Sequence, residues 1–137
     1  MDQPLPASSA DVSPTILAQA FDAAPNGFIL ISEHGVIASV NQELSRMFGH
    51  PAEGLIGQSV DTLLPEAFRA QHAEHRRQFL AAPSRRRMGE GRVLNGQHAL
   101  GHVFPVEIGL TPLVTPAGAR MVLASVVDMS DRHDLAL

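Results

Sequence analysis

Hydrophobic residues follow two different spacings along this chain of 137 residues. In residues 14–80 most apolar positions recur every three or four residues, which is the spacing of one buried helix face. A pair of short apolar runs around Glu33-His34-Gly35 interrupts this pattern and predicts a hairpin. In residues 88–127 apolar and polar positions alternate, as they do in strands with one buried face. Two strands, several short helices and three final strands predict an α+β fold with an antiparallel sheet.

Caps and turn residues set the boundaries of these elements. Ser13 is a helix N-cap followed by proline, Asn41 is a second N-cap, and Gly49 ends the helix that Asn41 begins. Between the last three strands the predicted turns are Asn95-Gly96, Gly101 and Pro116-Ala117-Gly118. The predicted helices cover residues 14–23, 42–48 and 65–80, with short helical turns at 51–57 and 60–64. The predicted strands cover residues 28–31, 36–40, 88–94, 103–113 and 120–127.

Two of these elements each bring a distinctive set of side chains to one face. In the helix over 65–80, positions i, i+4, i+7 and i+11 share a face, and they are Phe68, His72, His75 and Phe79. In the strand over 103–113, alternate residues share a face, and they are Phe104, Val106, Ile108 and Leu110. We expect both faces to point toward the interior.

Composition excludes several classes of protein. Hydrophobic residues make up 45% and charged residues 18%, which is typical of a single globular domain. The net charge is −4, and the basic run Arg85-Arg86-Arg87 is too short for a nucleic-acid-binding face. The absence of cysteine excludes disulfides and thiolate chemistry. The polar N-terminal stretch and the lack of a long apolar run predict a cytoplasmic protein without a signal peptide or membrane insertion.

Catalytic and metal-binding patterns are weak in this sequence. No nucleophile stands in a motif with a base and an orienting group, so we expect that the chain is not an enzyme. His72 and His75 have the spacing of two metal ligands on a helix, but a third ligand is not evident. We therefore predict no metal site apart from a haem iron, which is considered below.

Several short strings, in this order and spacing, resemble the PAS family over about residues 15–132. They are Pro25-Asn26-Gly27, Val40-Asn41, Met47-Phe48-Gly49, Leu55-Ile56-Gly57, Met88-Gly89-Glu90-Gly91-Arg92, Phe104-Pro105-Val106-Glu107-Ile108 and Asp128-Met129-Ser130. The resemblance implies a five-stranded antiparallel sheet that faces short helices across a central cavity, plus an N-terminal helix. The Pro-, Ser- and Ala-rich composition of residues 1–13 predicts a flexible tail. The resemblance implies the sensor domain over 14–132 and the start of a truncated linker or signalling helix over 133–137.

The function implied by the resemblance is sensory input to a signal-transduction protein, such as a two-component system. Such a domain responds to a ligand, forms dimers, or does both. We expect a homodimer, and a C-terminal output domain such as a histidine kinase or a cyclic-nucleotide enzyme in the parent protein. A domain that only dimerises, without any ligand, is the alternative.

The pattern around His72 is similar to that of the oxygen-sensing haem domains of nitrogen-fixation histidine kinases, which have non-haem relatives. The resemblance implies His72 as axial ligand of haem b and Arg92, twenty residues later, as the group that contacts bound gas or a propionate. Ile108 and Leu110 match the aliphatic residues on the distal side. In the alternative interpretation, His72 is a buried histidine hydrogen-bonded to backbone or to a neighbouring side chain. Flavin is a less favoured cofactor, because amide and aromatic partners are few.

The remaining candidate residues fall into three groups with different expected roles. Cavity lining is expected from Phe68, His75, Phe79, Met88 and Val106. Dimer contact is expected from Ile16, Leu17 and Phe21, the apolar stripe of the N-terminal helix. Signal transfer is expected from Asp128 and Arg132, which lie four residues apart and pair at the start of the outgoing helix.

Overall fold

The computed structural model describes residues 12–85 and 93–131. The helices are α1 (Pro14–Ala23), α2 (Gln42–Phe48), α3 (Ala52–Leu55) and α4 (Arg69–Ala81), with 3-10 helices at Val60–Leu63 and Glu66–Phe68. The strands are β1 (Gly27–Ser32), β2 (Ile37–Val40), β3 (Val93–Gln97), β4 (Val103–Val114) and β5 (Arg120–Asp128). No helix in the described ranges is long and apolar enough to cross a membrane.

The five strands form one antiparallel sheet in the order β2-β1-β5-β4-β3. The longest pairing joins β4 and β5, from Val106 opposite Asp128 to Val114 opposite Arg120. The N-terminal strand β1 lies beside the C-terminal strand β5, so the two ends of the domain meet in the middle of the sheet. The predicted α+β class and five-stranded antiparallel sheet are confirmed.

The hydrophobic core lies between one face of this sheet and the short helices. Alternate residues of β1 and β5 point into it, as the two-residue spacing predicts. The strands contribute Ile29, Ile31, Ile37, Val40, Phe104, Val106, Ala124 and Val126. The helical side contributes Leu44, Met47, Phe48, Leu55, Val60 and Leu63.

Asn41 joins three elements at the start of α2. Its side chain is 1% exposed. Its Oδ1 accepts hydrogen bonds from the backbone N–H groups of Phe28 at 2.8 Å and Leu44 at 3.1 Å. Its Nδ2 donates to the backbone oxygens of Phe21 at 3.0 Å and Asn26 at 2.9 Å. Asn41 is therefore the predicted N-cap of α2, and it also holds the end of α1 against the start of β1.

The prediction of a turn at Asn95-Gly96 is wrong. Both residues lie inside β3, where Asn95 pairs with Pro105 and Gly96 with Phe104. A Cβ atom on Gly96 would lie 2.8 Å from Cε1 of the Phe48 ring, so this glycine serves a close approach between strand and helix. The turn comes later, with Gly101 at φ +102. The predicted strand over 88–94 lies mostly outside the described residues.

The predicted helix over 65–80 is divided in two. A 3-10 helix at Glu66–Phe68 precedes α4, and the backbone of Phe68 has φ −105 and ψ 0. Phe68 therefore stands before α4 and is more exposed than a core phenylalanine. Within α4 only Phe79 is buried.

Candidate ligand cavity

A cavity of about 200 Å³ lies between the start of α4 and strand β3. Its wall combines apolar side chains with imidazole and amide groups. The lining residues are Leu64, Phe68, Gln71, His72, His75, Leu94 and Asn95. These lining residues include no lysine, arginine, aspartate or glutamate, so the described wall of this cavity carries no fixed charge when its histidines are neutral.

Asp61 holds the imidazole of His72 from outside the cavity. The Nδ1 atom of His72 lies 3.1 Å from Oδ1 of Asp61, and NH1 of Arg76 lies 3.4 Å from the same oxygen. Asp61 belongs to the 3-10 helix Val60–Leu63, whose N-cap Ser59 accepts a hydrogen bond from the backbone N–H of Asp61. The carboxylate is therefore held at a fixed place between the 3-10 helix and α4.

Burial lowers the pKa of His72 below its usual value, although the hydrogen bond and charge of Asp61 act in the opposite direction. The imidazole is therefore neutral near pH 7 and carries one ring proton. A carboxylate accepts hydrogen bonds and cannot donate one, so that proton lies on Nδ1 and points at Asp61. This leaves Nε2 with a free lone pair.

Polar contacts at both ends help to hold α4. They matter because Phe79 is the only buried residue of this helix, so few apolar contacts attach it to the core. At its start Nε of Arg69 donates to the backbone oxygen of Leu64 at 3.2 Å. At its end NH1 of Arg120 donates to the backbone oxygen of Leu80 at 2.9 Å, and Nε of Arg120 lies 3.3 Å from Glu33. We infer that these contacts, together with those of His72 and Arg76 with Asp61, contribute to the position of α4 and to the size of the cavity.

The structure brings some of the predicted cavity residues together and separates others. Phe68, His72 and His75 line the cavity. Val106 and Phe79 are buried but are not among its lining residues. Met88 lies outside the described residues, so its role stays a prediction.

Three of the four predicted haem residues lie in the described part of the chain, and only His72 lines the cavity. Ile108 and Leu110 pack against the core and do not line the cavity beside His72. Arg92 lies outside the described residues. At about 200 Å³ the described part of the cavity is smaller than the range of about 300–1,000 Å³ usual for drug-sized ligands. The hydrogen bond from His72 to Asp61 does suit an axial ligand. A histidine that binds iron through one ring nitrogen usually donates the N–H of the other nitrogen to a carboxylate or carbonyl.

The predicted dimer stripe on α1 is only partly available. Ile16 and Leu17 are 46% and 58% exposed, and no residue of α1 is buried. Phe21 instead stacks on Phe28 of the same chain, with ring centroids 5.8 Å apart. Phe21 therefore attaches α1 to its own sheet.

A second, more polar groove lies where β5 leaves the sheet. It has a volume of about 320 Å³ and is lined by Pro25, Asn26, Glu43, Arg46, Met47, Val126, Val127, Asp128 and Asp131. Arg46 forms an ion pair with Glu43, and this hydrogen bond lowers the pKa of the Glu43 carboxyl. Two of the lining residues are thus already paired with each other.

Asp128 is the last residue of β5, and its side chain contacts Ser130, the first helical residue after the strand. Its Oδ1 accepts hydrogen bonds from the backbone N–H of Ser130 at 2.9 Å and from the Ser130 hydroxyl at 2.6 Å. Arg132, its predicted partner, lies outside the described residues, and their pairing stays a prediction. A role of Asp128 as a helix cap is compatible with signal transfer, because it sets where the outgoing helix begins.

Sequence reasoning missed the contact of Asp61 with His72. The sequence favours a capping role for Asp61 near the start of its short helix. The two residues are eleven positions apart in different helices, and neither helical nor strand spacing connects them. Covariation between the two positions among related sequences would indicate such a contact, because it links residues that are distant in the chain but close in space.

Comparisons with known proteins agree with this architecture. The model of the PAS fold matches residues 15–129. The sensor protein FixL of Bradyrhizobium diazoefficiens is 28% identical over 96 residues, which cover 70% of this chain and 19% of FixL. The matched segments span only 7% to 19% of the three curated relatives compared.

Solved structures share the fold at low sequence identity. A PAS domain from Colwellia psychrerythraea superposes with a TM-score of 0.73 at 19% identity, covering 85% of this chain and 97% of that one. A PAS domain in complex with ethanol, from a LuxR-family transcriptional regulator of Burkholderia thailandensis, has a TM-score of 0.64 at 24% identity, covering 82% and 96%. Because the family model spans most of the chain and the five-stranded sheet has the same architecture, this chain belongs to the PAS fold family.

Proposed function

We propose that this chain is the ligand-responsive sensory input domain of a larger signal-transduction protein, and that it performs no catalysis itself. The cavity between α4 and β3 is the proposed ligand site. The observation that carries the proposal is a neutral histidine held by a carboxylate at the wall of a cavity. PAS domains are generally sensory modules, and the family region occupies a small part of the compared relatives, which supports an input role.

The cavity is well placed to pass a signal on. One wall is α4, which has a single buried side chain and is held mainly by polar contacts. The other wall is β3, which pairs with β4, and β4 pairs with β5. A ligand that moves α4 or β3 therefore acts on the sheet from which the outgoing segment at Asp128 starts. An output domain such as a histidine kinase or a cyclic-nucleotide enzyme, in a cytoplasmic parent protein, completes the proposal.

The test is a screen of small molecules by amide NMR on the isotope-labelled domain. We expect that at least one compound shifts the resonances of Gln71, His72 and Leu94 in a saturable manner. The control variant Leu94→Phe narrows the cavity, and we expect it to bind that compound several-fold more weakly. If no compound moves these resonances, or if Leu94→Phe binds as well as the natural chain, the cavity is not the ligand site.

A second candidate function is dimerisation through α1, with a second copy of this chain as the partner. It is favoured by the exposure of Ile16 and Leu17, which form an apolar stripe that the described residues leave exposed. We expect Leu17→Asp to lower the dimer fraction measured by sedimentation, whereas Gln19→Asp, at an exposed position of the same helix, leaves it unchanged. A monomeric natural chain, or equal effects of both variants, contradicts this function.

Haem bound through His72 is kept as a further hypothesis on one observation, the hydrogen bond between His72 and Asp61. Haem binding here requires that α4 and the sheet move apart, because the described cavity of about 200 Å³ is smaller than the usual volume of a ligand site. Flavin gains no specific supporting contact from the described residues. We therefore favour a small ligand over either cofactor.

A further inference from the structure

We propose that Asp61 is a positioning residue of the cavity and that, through His72, it selects small uncharged ligands that carry a hydrogen-bond donor. This inference rests on the proposed function, because it assumes that the cavity binds a ligand. It adds the chemical class of that ligand and the residue that sets it.

The first step is the fixed orientation of the imidazole. Oδ1 of Asp61 lies 3.1 Å from Nδ1 of His72, and the Asp61 backbone N–H is bound by Ser59. Val60 and Leu63, on either side of Asp61, are buried, so the segment that carries the carboxylate is anchored in the core. NH1 of Arg76 lies 3.4 Å from the same oxygen and forms a second contact that holds the carboxylate in place. A carboxylate in this position keeps the ring proton on Nδ1.

The second step is the character of the atom that remains. With the proton on Nδ1, Nε2 is a hydrogen-bond acceptor and cannot donate. His72 lines the cavity, and Nε2 is the ring nitrogen that Asp61 does not use. A ligand that donates a hydrogen bond satisfies this atom, whereas a ligand with acceptors only leaves it unpaired at a cost.

The third step concerns charge. The described lining residues include no arginine or lysine, and Arg76 is already paired with Asp61. Among the described residues an anionic ligand therefore finds no unpaired cation to replace its hydration, and it lies near the negative charge of Asp61. A cationic ligand finds no carboxylate among the described lining residues, because Asp61 is shared by His72 and Arg76. Uncharged ligands avoid both costs.

The fourth step is size. A volume of about 200 Å³ corresponds to roughly seven non-hydrogen atoms, if each occupies about the 30 Å³ that a water molecule takes in the liquid. Leu64, Phe68 and Leu94 provide an apolar wall for a short carbon chain. Small alcohols and amides combine these properties. The structure of the related PAS domain from Burkholderia thailandensis is a complex with ethanol, which is a molecule of this class.

Four probes of nearly equal size separate donor, acceptor and charge: propan-2-ol, acetone, acetamide and acetate. We expect propan-2-ol and acetamide to shift the amide resonances of His72 and Leu94, with acetone and acetate about tenfold weaker, the difference that one hydrogen bond of ordinary net strength makes. In Asp61→Asn the proton of the ring is no longer fixed, and the preference for donors disappears. In Glu74→Gln, at an exposed position of α4, the preference stays unchanged.

A second readout does not depend on binding. The nitrogen shifts of the His72 ring distinguish the two tautomers, and we expect the proton on Nδ1 in the natural chain and a mixture in Asp61→Asn. A proton on Nε2 in the natural chain overturns the inference. Equal binding of all four probes, or an Asp61→Asn variant with unchanged preference, also overturns it while leaving the cavity as a ligand site. The failure of every compound in the broader screen overturns the proposed function instead.

Discussion

Replacing Asn41 with aspartate exchanges one NH₂ group for an oxygen and leaves the size of the side chain almost unchanged. The Oδ1 atom keeps its two hydrogen bonds from the backbone N–H groups of Phe28 and Leu44. The new oxygen, however, stands where Nδ2 donates to the backbone oxygens of Phe21 and Asn26. Three oxygen atoms with no proton between them then meet in a site that is 1% exposed.

The magnitude follows from these contacts. Two part-buried hydrogen bonds are lost, each worth about 1–1.5 kcal/mol, and a charge is placed against two carbonyl oxygens. A carboxylate at the N-terminus of α2 recovers up to about 1 kcal/mol. We therefore expect Asn41→Asp to lower the free energy of unfolding by about 3 kcal/mol at neutral pH, a large share of the stability of a domain of this size.

The loss of stability caused by Asn41→Asp is expected to grow as the pH rises. Burial and the two carbonyl oxygens raise the pKa of the introduced carboxyl in the folded state above its unfolded value of about 3.9. Below about pH 4 the group is protonated in both states, and its O–H donates to one carbonyl oxygen, so the loss is smallest there. As the pH rises, the unfolded carboxyl ionises first, and the loss grows until the pH passes the folded pKa.

Urea unfolding of both proteins at several pH values measures this difference. The matched control is Asn95→Asp, the same chemical change at an exposed residue of β3, for which we expect a change within about 0.5 kcal/mol. If Asn41→Asp is as stable as the natural chain, or if its loss is the same from about pH 4 to pH 7, the four hydrogen bonds of Asn41 do not hold α1, β1 and α2 together as described.

Three further predictions test the packing and the cavity. Gly96→Ala places a methyl group against the Phe48 ring, and we expect it to lower the free energy of unfolding in urea by about 1–3 kcal/mol. The control Gly54→Ala in α3 should cost less than about 0.5 kcal/mol, and equal effects of the two variants contradict the close packing of Gly96 on Phe48. Arg120→Ala removes a contact at the end of α4, so amide hydrogen exchange in α4 rises about tenfold, and exchange no faster than in the natural chain refutes the role of this contact. Added hemin gives no saturable one-to-one Soret band, because the cavity is too small, and a band that His72→Ala abolishes shows that this reasoning is wrong.

Element order could be predicted because it depends on residues that are close in the chain. The Ser13 hydroxyl accepts a hydrogen bond from the backbone N–H of Ile16, as its role as N-cap of α1 requires. Gly49 ends α2 with a φ of +73, the left-handed conformation that glycine adopts without strain. These interactions span a few residues, so the local sequence specifies them.

Asn95-Gly96 shows where local reasoning fails. The pair has the composition of a tight hairpin turn, but the ring of Phe48, from a helix far back in the chain, lies against Gly96. The absence of a side chain at this glycine permits the close approach, and the strand continues through it. A glycine can form a tight turn, or it can allow another element to pack closely against a strand. The neighbouring element decides which of the two occurs.

The candidate site shows the same limit. Helical spacing correctly brings His72 and His75 to one cavity, because both belong to α4. It says nothing of Asp61, which reaches His72 from another helix, or of Ile108 and Leu110, which pack against the core and do not line that cavity.

The sequence by itself determined the α+β class, the helix and strand order and the caps at Ser13, Asn41 and Gly49, because these depend on spacing and on neighbours along the chain. Only the tertiary structure decided the size of the cavity, the partner of His72 and the four hydrogen bonds of Asn41. Each of these joins atoms from separate elements. Their distances are set by how the helices pack on the sheet, and a difference of a few ångströms in that packing decides whether a hydrogen bond or a cavity exists.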